Sequence, residues 1–458
     1  MARGQGLGWV DIVRLGLVQS ALGAIAVITT STLNRVMVVE LGAAAVVPGI
    51  LVGLHYGVQI TRPVFGHGSD SGARRTPWII AGMALLALSG VGATVATAIM
   101  AANFWLGLAL AIADFTLIGV GIGAAGTSLL ALMASRTAPE RRPGAATIVW
   151  LMMIAGMAIT AVLSGRMLDP FSLDRLVGVA AVVSLAAFAL AAVAIWGIEA
   201  RVVLVSRGDR SRQAAGSVSF RQSLSETWRD PQARLFTIFV FVSMLAYSAQ
   251  DLILEPFAGL VFAMTPGETT TLSGMQNAGV FTGMVAVGIG GSLILKRVPG
   301  FLKFSTVAGC LASAAALGAL SLAAARPEGW PLTQTVFVLG VSNGVFAVAA
   351  IASMMALAGA GRRRPDAEGR EGMRMGLWGA SQAIAFGLGG LAGTVAVDLI
   401  EAVSQSSALA YGSVFLIEAV LFVVAGAIAL RVALPSPPRS TEEAAAMSAH
   451  APSIQPAE

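Results

Sequence analysis

The chain has 458 residues and a formal charge of +5; 56% of its residues are apolar and only 12% are charged. A soluble domain is about a quarter charged, so this chain cannot clothe a water-facing surface, and its apolar residues suffice for roughly twelve bilayer spans of about 20 residues each. An ordinary soluble enzyme, a disordered chain and a nucleic-acid-binding domain are excluded, and the sequence lacks the two-residue alternation of an outer-membrane barrel.

The expected fold is an all-α polytopic membrane protein of twelve transmembrane helices. Apolar segments fall at 13–38, 44–65, 77–100, 104–134, 144–166, 175–198, 234–262, 273–295, 301–325, 332–358, 374–399 and 408–433. The polar stretch 199–233 divides them six and six. The expected organisation is an N-terminal six-helix bundle (1–198), a linker (199–233), a C-terminal six-helix bundle (234–434) and a disordered tail (435–458), which has no apolar stripe. Of the 29 Lys and Arg residues, 24 fall on the side of the N-terminus; only Arg35, Arg62, Arg166, Arg175 and Arg326 do not. The positive-inside rule then places both termini in the cytoplasm. Met1 to Gly8 has no signal-peptide cleavage pattern, so the first span is expected to stay as an anchor.

In chain order, Trp9-x-Asp11 before the first span is echoed by Trp228-x-Asp230 before the seventh, a hint of a duplicated unit. Span two carries His55, Gln59 and Arg62 at i, i+4 and i+7, one polar stripe on a helix face. Gly121-Ile-Gly123-Ala-Ala-Gly126 fits a dinucleotide fingerprint, but it lies inside an apolar helix rather than after a strand. It reads as a surface for close helix packing. Ser219-Phe-Arg-Gln222, followed by Leu224 and Trp228, reads as an amphipathic helix on the membrane surface or as a solvated linker turn.

Ionisable and amide groups inside a membrane are costly and mark functional sites by default. Besides the span-two stripe these are Asp114, Asp251, Glu255, Asn343 and Glu418. Neutral imidazole can ligate a metal, so His55 is a candidate ligand for the magnesium of a chlorin pigment; a hydrogen-bonded packing histidine is the alternative. Three histidines and one cysteine, without a clustered ligand motif, argue against a zinc or other free-metal site, and no Walker loop is present, so no nucleotide is expected.

The loop Gly66-His-Gly-Ser69-Asp70-Ser-Gly-Ala-Arg74-Arg75 resembles the signature between spans two and three of the major facilitator superfamily. Thr32-Leu-Asn-Arg35-Val-Met-Val-Val-Glu40 and Gln250-Asp-Leu-Ile-Leu-Glu255-Pro256-Phe257 resemble the PucC/LhaA family, the bacteriochlorophyll-delivery branch of that superfamily. The likeness runs from about Leu7 to Leu434 and is nearer to LhaA-like members. It implies a non-enzymatic assembly factor in the bacterial inner (intracytoplasmic photosynthetic) membrane. Bacteriochlorophyll would be its cargo, and light-harvesting polypeptides, bacteriochlorophyll synthesis enzymes and the lipid bilayer its partners, with no nucleic acid. On that reading His55, Gln59, Arg62, Asp114 and Asn343 are pigment or cavity candidates. The other class of function is a proton-coupled secondary transporter of a small solute.

In the fold so implied, spans one and seven are equivalent. Arg35 and Glu255 lie about 22 and 21 residues along them, roughly 33 and 32 Å. A charge pair at the outer gate is therefore expected between Arg35 and Glu255, with Asp251 as the competing acid. The alternative is that Arg35 snorkels to the interface beside Glu40.

Overall fold

The structure, a computed structural model, describes residues 7–62, 65, 74–137, 141–201, 228–294, 300–360 and 371–432. Among these residues all regular structure is helical. The long helices are α1 (Trp9–Glu40), α2 (Val46–Val58), α3 (Thr76–Ala102), α4 (Phe104–Arg136), α5 (Arg142–Leu168) and α6 (Leu173–Ile195). They are followed by α7 (Pro231–Phe262), α8 (Pro266–Ile294), α9 (Phe301–Ala325), α10 (Leu332–Ala360), α11 (Glu371–Ser404) and α12 (Ser407–Arg431). Ten of them are long and apolar enough to cross a membrane. The other two are α2, with 13 residues, and α8, whose first half carries Glu268, three threonines and Gln276. The linker helix expected around Phe220 and Leu224 and the tail lie outside the described residues.

Helix starts follow from local chemistry. Side chains of Asn103, Ser172 and Ser406 accept the amides of Leu106 (3.1 Å), Arg175 (3.1 Å) and Leu409 (3.3 Å), which have no partner inside the helix. The Trp-x-Asp echo is of the same kind. Asp11 reaches back from the first turn of α1 to the Gly8 amide, whereas Asp230 caps α7 itself through the Gln232 amide at 3.0 Å. Within α1 the α-helical hydrogen-bond pattern gives way twice to π-helical turns, at Ile28–Thr32 and Val36–Glu40.

Packing repeats with a period of six helices. The pairs α1–α5, α1–α6, α2–α4, α3–α4 and α3–α6 each recur as α7–α11, α7–α12, α8–α10, α9–α10 and α9–α12. One hydrophobic core draws on α1 to α6 plus Leu252, the other on α7 to α12 plus Val38 and Ala45. Glycines set the tightest crossings. A Cβ on Gly121 would stand 2.9 Å from the carbonyl of Gly82, so the G-x-G-x-x-G run begins as a close α3–α4 contact. The groups α1–α6 and α7–α12 meet along α2–α11 and α5–α8, two seams that the same shift of six exchanges.

Candidate functional site

The sequence motifs of spans one and seven meet near the distal end of the bundle, where α1 and α7 finish. Pro256 stands inside α7 and has no N–H to donate, so the carbonyl of Leu252, four residues back, loses its helical partner. In a membrane such a group must be satisfied by a neighbour. The neighbour is Asn34 of α1, whose amide Nδ2 donates to the Leu252 carbonyl. Two residues earlier, the Thr32 and Thr270 hydroxyls bond across to α8 at 3.1 Å. The asparagine of one motif thus completes the backbone broken by the proline of the other.

Arg35 is 2% exposed, yet its ion pair is with Glu40 rather than with Glu255. Its second guanidinium nitrogen donates to the Met264 carbonyl at 2.8 Å, over Gly259, which leaves room for it. Glu255 instead accepts from the Ser273 hydroxyl of α8 and lies within electrostatic reach of Arg35 without touching it. Equal depth along two helices did not fix equal azimuth, and Glu40, only five residues on, reached the guanidinium first. Asp251, the competing acid, faces Gln276.

The span-two stripe forms as expected. Arg62 donates to Gln59 Oε1, and the Gln59 amide nitrogen lies 2.8 Å from His55 Nε2. The other imidazole nitrogen, Nδ1, is buried and has no partner. The imidazole is thus buried, with Nε2 held by Gln59 and Nδ1 turned into the interior. Next to it, Tyr56 bridges the two seam helices against Phe386 (centroids 5.7 Å), which also meets Tyr247 of α7 (5.8 Å). Asp251 lies within electrostatic reach of both tyrosine hydroxyls. Sequence reading missed this cluster, although a chain with three tyrosines in all that places two at one crossing carried a usable signal.

The remaining candidates lie apart. Asn343 accepts from Ser313 at 2.9 Å within the second core. Glu418 is 1% exposed, neither of its oxygens has a hydrogen-bond partner among the described residues, and Asp251 lies within its electrostatic reach. Asp114 is half-buried against Gly92 of α3. Of the loop motif, Gly66, Ser69 and Asp70 lie outside the described residues; Arg74 is exposed and Arg75 donates to the Ala131 carbonyl. The start of α3 is capped by Glu199, just beyond α6. Its carboxylate takes the amides of Arg75 (2.7 Å) and Thr76 (2.9 Å) and the Thr76 hydroxyl (2.7 Å). Burial opposes its charge, but those bonds and the nearby Arg136 outweigh burial and hold the carboxyl below the ordinary glutamate value.

At the distal end each seam has an aspartate latch. Asp398 of α11 accepts the Ala45 and Val46 amides at the start of α2, at 2.9 and 2.7 Å. Asp169, just after α5, accepts from Thr265 at the start of α8, at 3.1 Å. Beside the latches lie clefts of about 350 and 270 Å³, either side of the lower limit of about 300 Å³ for drug-sized ligands.

A helical bundle of this plan, with ten helices long and apolar enough to cross a membrane, defines a multi-pass membrane protein. Its backbone resembles a bacterial homologue of the human lysosomal transporter Spinster, solved inward-facing and unoccupied (TM-score 0.67, 13% identity, 92% of this chain and 96% of that one). It also resembles a structure from work on proton-dependent oligopeptide transporters (TM-score 0.66, 14% identity, 92% and 98%). The fold is of the major facilitator type. The PUCC protein family profile matches residues 32–436, and the chain belongs to that family. It is 49% identical to the "Bacteriochlorophyll synthase 44.5 kDa chain" of Rhodobacter capsulatus, over 93% of this chain and 96% of the relative. It is 30% identical to "Protein PucC" of the same organism, over 92% and 91%.

Proposed function

We propose that this protein is a non-enzymatic assembly factor that binds bacteriochlorophyll and delivers it to light-harvesting polypeptides. It would sit as twelve spans in two six-helix halves, with both termini cytoplasmic, in the photosynthetic inner membrane of a bacterium. There it would receive pigment from the synthesis enzymes. The observation that carries this reading is family membership along nearly the whole chain, together with a half-identical relative whose name refers to bacteriochlorophyll. The word "synthase" in that name belongs to the relative; the non-enzymatic reading of this chain is supported by its membership of the PUCC family and its transporter-like fold.

The test is a gentle purification from pigment-making cells followed by an absorption spectrum, alongside a deletion strain. Bound bacteriochlorophyll, with loss of assembled antenna but no build-up of an earlier biosynthetic intermediate, is the expected result. A colourless protein, or an accumulated intermediate, would overturn the proposal. One observation favours a second reading, a proton-coupled transporter of a small solute: Glu418 lies buried with no partner for either oxygen, as a proton-carrying group would. Solute movement with acidification in vesicles made from the colourless protein would select that reading.

A further inference from the structure

A lipid-soluble cargo enters and leaves through the bilayer, so its site should open toward lipid. Asp114 is the candidate acid that does. It lies about ten residues, roughly 15 Å, from the start of α4, near the middle of a hydrocarbon core about 30 Å thick. Intramembrane carboxylates almost always face the bundle interior and a partner. Asp114 instead stands at the edge of the crossing between α3 and α4, half-buried, with no hydrogen bond or ion pair among the described residues. Its carboxyl group rests on Gly92, occupying the space a Cβ there would take. One turn away on either side are exposed apolar residues: Leu88 (73%) and Val95 (40%) on α3, Leu110 (39%) and Leu117 (41%) on α4. A bare glycine floor, an apolar rim one helical turn in each direction and a single central anion make an unusual lipid-facing surface.

We infer that this α3–α4 seam binds a magnesium-bearing tetrapyrrole, with the Asp114 carboxylate as axial ligand to the magnesium and Gly92 as the floor beneath it. The inference rests on the pigment-handling reading above. The chemistry is complementary: a hard anionic oxygen meets a Lewis-acidic magnesium, and the macrocycle lies on apolar side chains that otherwise face acyl chains. Ligation exchanges only the axial ligand; a carboxylate oxygen displaces whatever the pigment carried, and no bond of the macrocycle breaks. His55 is enclosed, with Nε2 held by Gln59 and Nδ1 buried, and so does not face the bilayer as Asp114 does.

The test titrates the full-length protein in lipid nanodiscs with bacteriochlorophyll and, separately, with magnesium-free bacteriopheophytin, following the absorption bands. Wild type should bind bacteriochlorophyll at least about tenfold more tightly than bacteriopheophytin, and Asp114→Leu should lose about tenfold for bacteriochlorophyll only. Asp114→His should restore binding with a shifted band, and Gly92→Val, which raises the floor from the other helix, should lose binding of both pigments. Each variant faces lipid at the seam, so its abundance in membranes reports folding independently. Wild-type binding that Asp114→Leu leaves unchanged, or that does not distinguish the two pigments, overturns this site while leaving pigment handling intact. A wild type that binds neither pigment overturns the proposed function and this site with it.

Discussion

The helices α1–α6 and α7–α12 share one packing plan and differ in what they bury. In the first group the polar side chains of α1 and α2 include runs that pair within one helix, Arg62 to Gln59 to His55 and Arg35 to Glu40, while Asp114 stands apart from both. In the second, carboxyl groups are buried with less support; among the described residues Glu255 Oε2 and both oxygens of Glu418 have no donor. Helix–helix packing can therefore be conserved through duplication while the intramembrane chemistry diverges, because packing rests on small residues and apolar area whereas polar pairing rests on single side chains.

Matched substitutions in the two halves test that contrast, beginning with the largest expected effect. Gly344 of α10 presses on the Val280 backbone of α8, whereas Gly119 of α4 meets the His55 carbonyl at 2.7 Å in the equivalent pair. Gly344→Val should cost more than about 3 kcal/mol and remove most folded protein from membranes, and Gly119→Val about 1–3 kcal/mol. Thermal unfolding of solubilised protein reads both; equal losses would mean that the two crossings are equally tight.

Glu40→Gln strands a guanidinium that is 3% exposed, and should cost about 2–3 kcal/mol, less than a fully buried pair because Glu40 itself is 34% exposed. Glu255→Gln should cost about 1 kcal/mol or less, since Ser273 can donate to an amide oxygen as well. Charge reversal sharpens the point: Arg35→Glu should be rescued in part by Glu40→Arg and not by Glu255→Arg, scored by membrane abundance.

The two latches should rank in the same manner. Asp398→Ala removes two amide bonds and should weaken distal closure by about 1–2 kcal/mol, and Asp169→Ala, with one hydroxyl bond, by about half of that. Labelling rates of cysteines placed near each latch measure the opening; an equal rise for both would sink the ranking.

The last contrast is at Glu199, for which α9 has no counterpart among the described residues, since α9 starts at Gly300 without a side-chain cap. A depressed carboxyl stabilises the folded state above its unfolded value, about 4.5 here, and that contribution disappears as pH falls through the lower folded value. Hydrogen exchange at the start of α3 should therefore speed up as pH drops below about 4.5, relative to the intrinsic rate. Glu199→Gln should flatten that dependence while costing about 1 kcal/mol at neutral pH.

Sequence reading located what repeats along a helix. Apolar runs placed most helix ends to within about five residues, although α8 begins at Pro266, seven before the expected 273, because its first turns are polar; spacing placed Arg62, Gln59 and His55 on one face. It could not locate contacts whose partners lie far apart in the chain, such as Asp398 with Val46, 352 positions away. Depth arithmetic brought Arg35 and Glu255 to one level but was blind to rotation about each axis. The same blindness hid the direction of Asp114: when both faces of α4 are apolar, periodicity cannot separate the lipid side from the interior. Pro256 and Asn34 were legible as motif residues, and a proline in a span does announce a carbonyl in search of a donor; only the fold says that the donor comes from α1.

The two π-helical turns of α1 bear on rotational phase. Successive residues of an α-helix advance by about 100°, and a π-turn accommodates an additional residue without lengthening the span by a full step. Everything beyond Thr32 in α1 is therefore turned relative to the course that Trp9–Val27 sets. That offset lets Asn34 point at the opened carbonyl of Leu252 while Arg35, the next residue, swings to the Met264 carbonyl and Glu40. Straightening α1 by deleting one residue within Ile28–Thr32 would rotate both side chains off their partners together. The joint between α1 and α7 thus depends on an irregular count of residues as much as on their identity.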